Sequence, residues 1–142
     1  QAKLLRALEE RSFRRLGGLN LIKVDVQVLA ASNRNLPALI REGKFRDDLY
    51  YRLKVVDLHI PPLRERAQDI PELTGLFIRR GNQRFGQAVV DVSSRALQAL
   101  LLHPWPGNIR ELRNVIERAM MLCDDSFIDL QHLPAEFKGY AK

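Results

Sequence analysis

Pro61-Pro62 divides this sequence into two stretches that cannot share one kind of structure. Two successive prolines remove two ladder donors and cannot continue a central strand, so any sheet the chain builds has to end before them. Upstream, helical and alternating patterns follow one another. Residues 1–11 place Leu4, Leu5 and Leu8 on one helical face, and Gly17-Gly18 closes that region with residues that tolerate left-handed turns. Val24, Val26 and Val28 then alternate with Asp25 and Gln27 before Leu29-Ala30-Ala31, which predicts a strand passing from half-buried to buried over 24–31. Asn35 is placed to cap a helix with Leu36, Leu39 and Ile40 inside and Gly43 as its stop. Phe45, Leu49 and Leu53 predict a third helix, and Val56, Leu58 and Ile60 a second strand over 55–60.

Downstream of the prolines every periodic segment is helical. Asp69 is placed to cap a helix carrying Ile70, Leu73 and Phe77, and Ser93 one carrying Ala96, Leu97, Leu100 and Leu101. Asn108 and Glu111 have the spacing of a capping box, followed by Leu112, Val115, Ile116, Ala119 and Met120 at offsets of three and four. Asp129 can cap a last short turn before Pro134. The predicted organisation is therefore α/β over 1–61 and all-helical over 62–142. Two strands make a poor independent layer, so the first part reads as the end of a larger sheet.

Composition narrows the function classes. The chain has 142 residues, enough for a core, and no apolar run approaches the roughly 18 residues that cross a bilayer, which gives the expectation of a cytoplasmic protein with no membrane partner. A formal charge of +6 suits an anionic partner, but 23 basic residues are dispersed among 17 acidic ones rather than gathered in a stripe. The single cysteine, Cys123, sits in an apolar stretch and reads as a buried thiol with no disulfide or metal role. No GxxxxGK[ST] loop, catalytic triad or metal-ligand spacing occurs.

Three stretches carry the functional content. In 43–53, GKFRDDLYYRL, Arg46 starts a helix and Arg52 lies near its end; taken alone, Arg52 would pair with Asp48 and Arg46 would be solvated. In 103–112, HPWPGNIREL, a tight turn leads into the capped helix with Arg110 in its first turn. A cation there opposes the helix dipole by roughly 0.3–1 kcal/mol, which an anionic ligand or a pairing with Glu111 would offset. Trp105 beside it reads as core packing. Residues 61–70, PPLRERAQDI, form a basic hinge.

In this order the strings LLRALEERSFRRLGG, VLAASNRNL, GKFRDDLYYRLKVV, IPPLRERAQDIPEL and HPWPGNIRELRNVIERAMML resemble the AAA+ ATPase domain of sigma-54-dependent transcriptional activators, the bacterial enhancer-binding proteins. The resemblance implies the C-terminal portion of an AAA+ parallel-sheet core followed by a helical lid. It implies that Ser32 and Asn33 belong to the first sensor near the γ-phosphate, with serine where the family more often has threonine. Arg46 and Arg52 would be arginine fingers acting on the neighbouring subunit, and Arg110 the second sensor, a lid residue that contacts nucleotide in its own subunit. ATP and Mg2+ would be the cofactors of the intact protein, and its partners a homo-oligomeric ring, hexameric by resemblance, sigma-54 RNA polymerase, and DNA through a separate domain. The family's Walker A loop, polymerase-contacting loop and Walker B acids would precede Gln1 and its helix-turn-helix would follow Lys142, so this chain is expected to be inactive alone and to hold no cofactor tightly. A non-enzymatic nucleic-acid module and a different AAA+ machine are the alternatives. The helix after Asn108 alternates Arg113 and Arg118 with Glu111 and Glu117, which disfavours the first.

Overall fold

Leucines at helical spacing do form a helix at the start of the chain, and the glycine pair after it makes the expected left-handed turn, with Gly17 at φ 75°, although a short strand comes between. In the structure, a computed structural model that describes residues 1–140, α1 spans Ala2–Glu10 and ends on Arg11 in the left-handed region at φ 47°. The chain then makes an antiparallel hairpin. Strand β1 (Ser12–Arg14) pairs with β2 (Leu21–Lys23) in the register Phe13 to Ile22, and Gly17-Gly18 lie in the connection between them. Val24 N–H donates to the Arg11 carbonyl at 2.9 Å and closes the hairpin's base.

The strands expected over 24–31 and 55–60 are not formed. The ladder stops at Lys23, and the alternating valines beyond it have no strand partner among the described residues. Val26, Leu29, Val55, Val56, Leu58 and Ile60 are all exposed. The physical reason is that a strand draws its stability from neighbours on both edges and a covered face, and period-two patterning records the intention without supplying either.

The helices after them do form. Helix α2 (Leu36–Arg41) is capped as expected, with Asn35 Oδ1 accepting the Ala38 N–H at 3.0 Å, and Gly43 follows its end at φ 67°. Helix α3 (Asp47–Leu53) buries Leu49 and packs on α1. Gln1 reinforces that contact: its amide donates to the Lys44 carbonyl and accepts the Arg46 N–H at 2.8 Å.

The chain divides into two compact units, Gln1–His59 and Ile60–Lys142. All of the buried hydrophobic core except Leu49 lies in the second. That unit is built on α4 (Ile70–Phe85) packed against α6 (Asn108–Leu122), with α5 (Ser94–Leu102) beside them. The close approach of α4 and α6 falls at Gly81, where a Cβ would run into the sulfur of Met120. Ser93 caps α5 through the Ala96 N–H at 3.1 Å. Asp129 accepts the Leu130 N–H, which forms the expected short turn Leu130–His132. Cys123 is buried, with its sulfur 3.1 Å from the Asp125 carbonyl. The unit is not purely helical, because β3 (Asp91–Val92) and β4 (Phe127–Ile128) form a short parallel pair.

Two expected caps are replaced. Asp69 precedes α4 but makes no cap hydrogen bond; its carboxylate lies 3.9 Å from Arg66 instead. Asn108 does not cap α6 either, because its side-chain oxygen accepts the Leu63 N–H from outside the helix.

The unequal burial has a measurable consequence. Chain 1–142 is expected to self-associate through residues 24–31 and 55–60, because unpaired backbone and exposed branched side chains favour strand pairing between copies. Residues 62–142 alone should stay monomeric. Sedimentation velocity over a concentration series checks this, and a monomeric full chain at high concentration would contradict it.

Candidate functional site

The first unit carries two of the three candidate arginines on one short helix, but on different faces. Arg52 lies six positions after Arg46, which is about 9 Å along the axis and about 120° around it. Arg46, at the N-cap of α3, turns back onto Asp48: its Nε donates to Oδ1 at 3.0 Å and its Nη2 to Oδ2 at 2.6 Å. This two-point contact is the geometry that a planar guanidinium offers a carboxylate. It holds the Asp48 carboxyl below its ordinary range, first through the side-chain hydrogen bond from Arg46. The folded-state value is the lower one, so the pair's stabilisation is present above the ordinary carboxylate range and is lost as pH falls through the lowered value. Arg46 remains half exposed despite the contact.

Arg52 does not pair with Asp48 as its spacing suggested; that carboxylate is bonded by Arg46. The Arg52 Nη2 donates instead to the Leu8 carbonyl at 3.3 Å. That carbonyl belongs to the last turn of α1, where carbonyls lack intrahelical partners and a cation is favoured. One long hydrogen bond leaves the rest of the Arg52 guanidinium exposed. Ser32 and Asn33 lie in the exposed bend just before the Asn35 cap, and the Ser32 hydroxyl accepts the Arg34 N–H at 3.1 Å. That bond uses the oxygen as acceptor and leaves the hydroxyl proton to donate elsewhere.

Arg110 sits in the second unit, and its position follows from the turn before it. Trp105 is fully buried with φ 50°, and its indole Nε1 donates to the Leu100 carbonyl at 2.8 Å. His103 stacks on Phe137 with ring centroids 4.6 Å apart, and its Nδ1 accepts the Trp105 N–H. Glu111 reaches back to accept the Gly107 N–H at 2.7 Å. A Cβ on Gly107 would come within 2.7 Å of the Glu111 Cβ, so only glycine fits under that side chain. Glu111 is thereby occupied, and Arg110 has no ion-pair partner among the described residues. Its exposed guanidinium borders an open groove of about 430 Å³ that also takes in Asn114, Arg118 and Glu136.

Three contacts were not expected from the sequence: the Arg46–Asp48 fork, the Gln1 bridge to Arg46, and the Asn108–Leu63 bond. The first had a signal, an aspartate two residues after the arginine. The other two join residues about 45 positions apart, and no local pattern marks them.

Comparison with known proteins identifies the family. Residues 1–59 match the sigma-54 interaction domain and residues 64–142 the AAA+ ATPase lid domain. The nitrogen fixation protein VnfA of Azotobacter vinelandii is 52% identical over 139 residues, covering 98% of this chain and 27% of that protein. The regulatory protein AtoC of Escherichia coli (strain K12) is 46% identical over 138 residues, covering 97% and 30%. Crystal structures of NtrX from Brucella abortus superpose with TM-scores of 0.86 in complex with ADP and 0.87 in complex with ATP, each at 38% identity over 97% of this chain and 32% of NtrX. The chain thus spans about a quarter to a third of the length of these relatives.

Proposed function

This chain belongs to the family of AAA+ ATPases with a sigma-54 interaction domain, and on that premise we propose that it supplies the arginine fingers and the lid of an ATP-hydrolysing transcriptional activator. The observation that carries the reading is Arg110: an exposed guanidinium with no ion-pair partner among the described residues, on the first turn of α6, bordering a groove, and following a turn that is anchored by buried Trp105. A cation at a helix N-terminus is unfavourable alone and becomes favourable when a phosphate shares the position. The bound ATP would supply the phosphoanhydride bond whose γ-phosphoryl passes to water.

The chain's own groups then take distinct tasks. Arg110 binds phosphate oxygens in its own subunit, and residues 62–142 act as the lid. Ser32 and Asn33, within a 1–61 part of the α/β subdomain, direct a hydroxyl and an amide toward the γ-phosphate. Arg46 and Arg52 reach the nucleotide of a neighbouring subunit in a homo-oligomeric ring, which we take to be a hexamer. Mg2+ would accompany the phosphates of ATP, and among the described residues no three His, Cys, Asp or Glu side chains group to hold a metal. The ring would act on sigma-54 RNA polymerase in the cytoplasm, with DNA bound through a separate domain.

The Arg110 assignment has a direct test in the longer ATPase in which this reading places the chain. A charged hydrogen bond contributes about 1.5–3 kcal/mol, so Arg110→Ala should weaken ATP binding by about ten-fold or more. Titration with a fluorescent ATP analogue measures it. Unchanged affinity would return Arg110 to the status of a solvated surface group.

A further inference from the structure

The turn that presents Arg110 is tied to the segment through which the chain enters its second unit. Asn108 Oδ1 accepts the backbone N–H of Leu63 at 2.8 Å, across 45 residues of sequence. Prolines carry no N–H, so Leu63 offers the first backbone donor after Pro61-Pro62. Leu63 is itself fully buried and opens the short helical turn Leu63–Glu65. On the other side, Asn108 is held by its backbone as well as its side chain: it adopts φ 52°, and its N–H donates to the Trp105 carbonyl at 2.9 Å. Asparagine meets both demands at once, since it tolerates the left-handed region better than most residues and carries a short side-chain acceptor. Arg110 follows two residues later, on the helix that this turn aims.

We infer that Asn108 is a positioning residue that joins the entry segment and the Arg110 turn into one rigid piece, so that a shift of Arg110 on meeting phosphate is carried into the backbone at residue 63. The inference deepens the nucleotide reading of Arg110 and rests on it for its functional half. The mechanical half stands on the Asn108–Leu63 bond alone. A rigid link with a defined attachment at each end can carry coupling of this kind. Buried Leu63 anchors one end and buried Trp105 the other. A glycine at 108 would keep the backbone conformation and lose the acceptor, whereas an aspartate would keep both.

The test uses N108G and N108D, with two readouts. Amide hydrogen exchange in the 142-residue chain without nucleotide reads the clamp: N108G should speed exchange at Leu63 by about ten-fold, and N108D should restore it. Steady-state kinetics in the longer ATPase reads the function: N108G should lower kcat by about 10- to 100-fold while KM for ATP moves less than about three-fold, and N108D should recover most of the loss. If N108G prevents folding, Asn108→Ser, whose hydroxyl is one atom too short to reach Leu63, carries both measurements. Unaltered Leu63 exchange in the glycine variant overturns the clamp, and faster exchange with unaltered kcat overturns its role in positioning. An Arg110→Ala protein that binds and hydrolyses ATP normally would instead overturn the nucleotide reading, with the Leu63 exchange still deciding the clamp.

Discussion

Arg46→Ala and Arg52→Ala are each expected to lower ATP hydrolysis by the longer ATPase by about 10³- to 10⁵-fold, the worth of an arginine finger in phosphoryl transfer. That is roughly 4–7 kcal/mol of barrier. The local alternatives are far smaller: the Arg46–Asp48 pair and the contact of Arg52 with the Leu8 carbonyl both lie in solvent, where screening leaves an ion pair or a helix-end contact little net stabilisation. The magnitude of the loss therefore decides between a finger and a surface pair. Affinity for ATP should stay near normal, because a charge aimed at the transition state contributes little to the ground state. The two arginines should also differ. Arg46 must exchange its two bonds to Asp48 for phosphate oxygens, whereas Arg52 gives up only one long bond.

Mixing subunits tests whether the action is across the interface. An Arg52→Ala protein with an intact phosphate loop is combined with a phosphate-loop-defective protein that retains Arg52. Neither parent should hydrolyse ATP, and the mixture should recover part of the activity, since some sites then combine a working loop with a neighbour's working arginine. Mixed rings that recover nothing would leave Arg52 as the carbonyl-bound group seen at the end of α1.

Trp105→Ala is expected to destabilise the second unit by about 3–5 kcal/mol, the usual cost of truncating a buried tryptophan. Trp105 is fully buried, packs against His103 and Phe137, and donates its indole N–H to the Leu100 carbonyl. Truncation would open a cavity, orphan that carbonyl and release the turn that carries Gly107 to Arg110. Against a domain stability of about 5–15 kcal/mol the loss is large. Urea unfolding followed by far-ultraviolet circular dichroism measures it, since the variant lacks the chain's single tryptophan. Trp105→Phe keeps an aromatic body and loses the donor, and should cost about 1–3 kcal/mol. A Trp105→Ala loss under about 1 kcal/mol would remove the turn from the unit's core.

Local chemistry made several elements legible in the amino-acid sequence itself. Asn35 and Ser93 cap their helices because a short side-chain oxygen placed before an amphipathic run has one obvious partner, an unpaired amide three residues on. Trp105 and Cys123 are buried as their apolar surroundings required. The ordered motif strings identified the family and its AAA+ α/β class, and the matches over 1–59 and 64–142 agree. They could do so because such strings record a whole site's chemistry, including the parts held by other segments.

Only the tertiary structure decided where competing groups went. Asn108 had the spacing of a cap, but the Leu63 amide from 45 residues away took its oxygen, and Glu111 bonded Gly107 instead. Arg52 had the spacing to pair with Asp48, but in the fold Arg46 holds that carboxylate and Arg52 bonds the Leu8 carbonyl. The valines of 24–31 had the pattern of a strand and form none, because a strand needs neighbours that pattern alone cannot supply. Spacing along a chain reports which groups are near in sequence. A hydrogen bond is decided by which partner arrives with the better geometry, and that partner can come from anywhere in the fold.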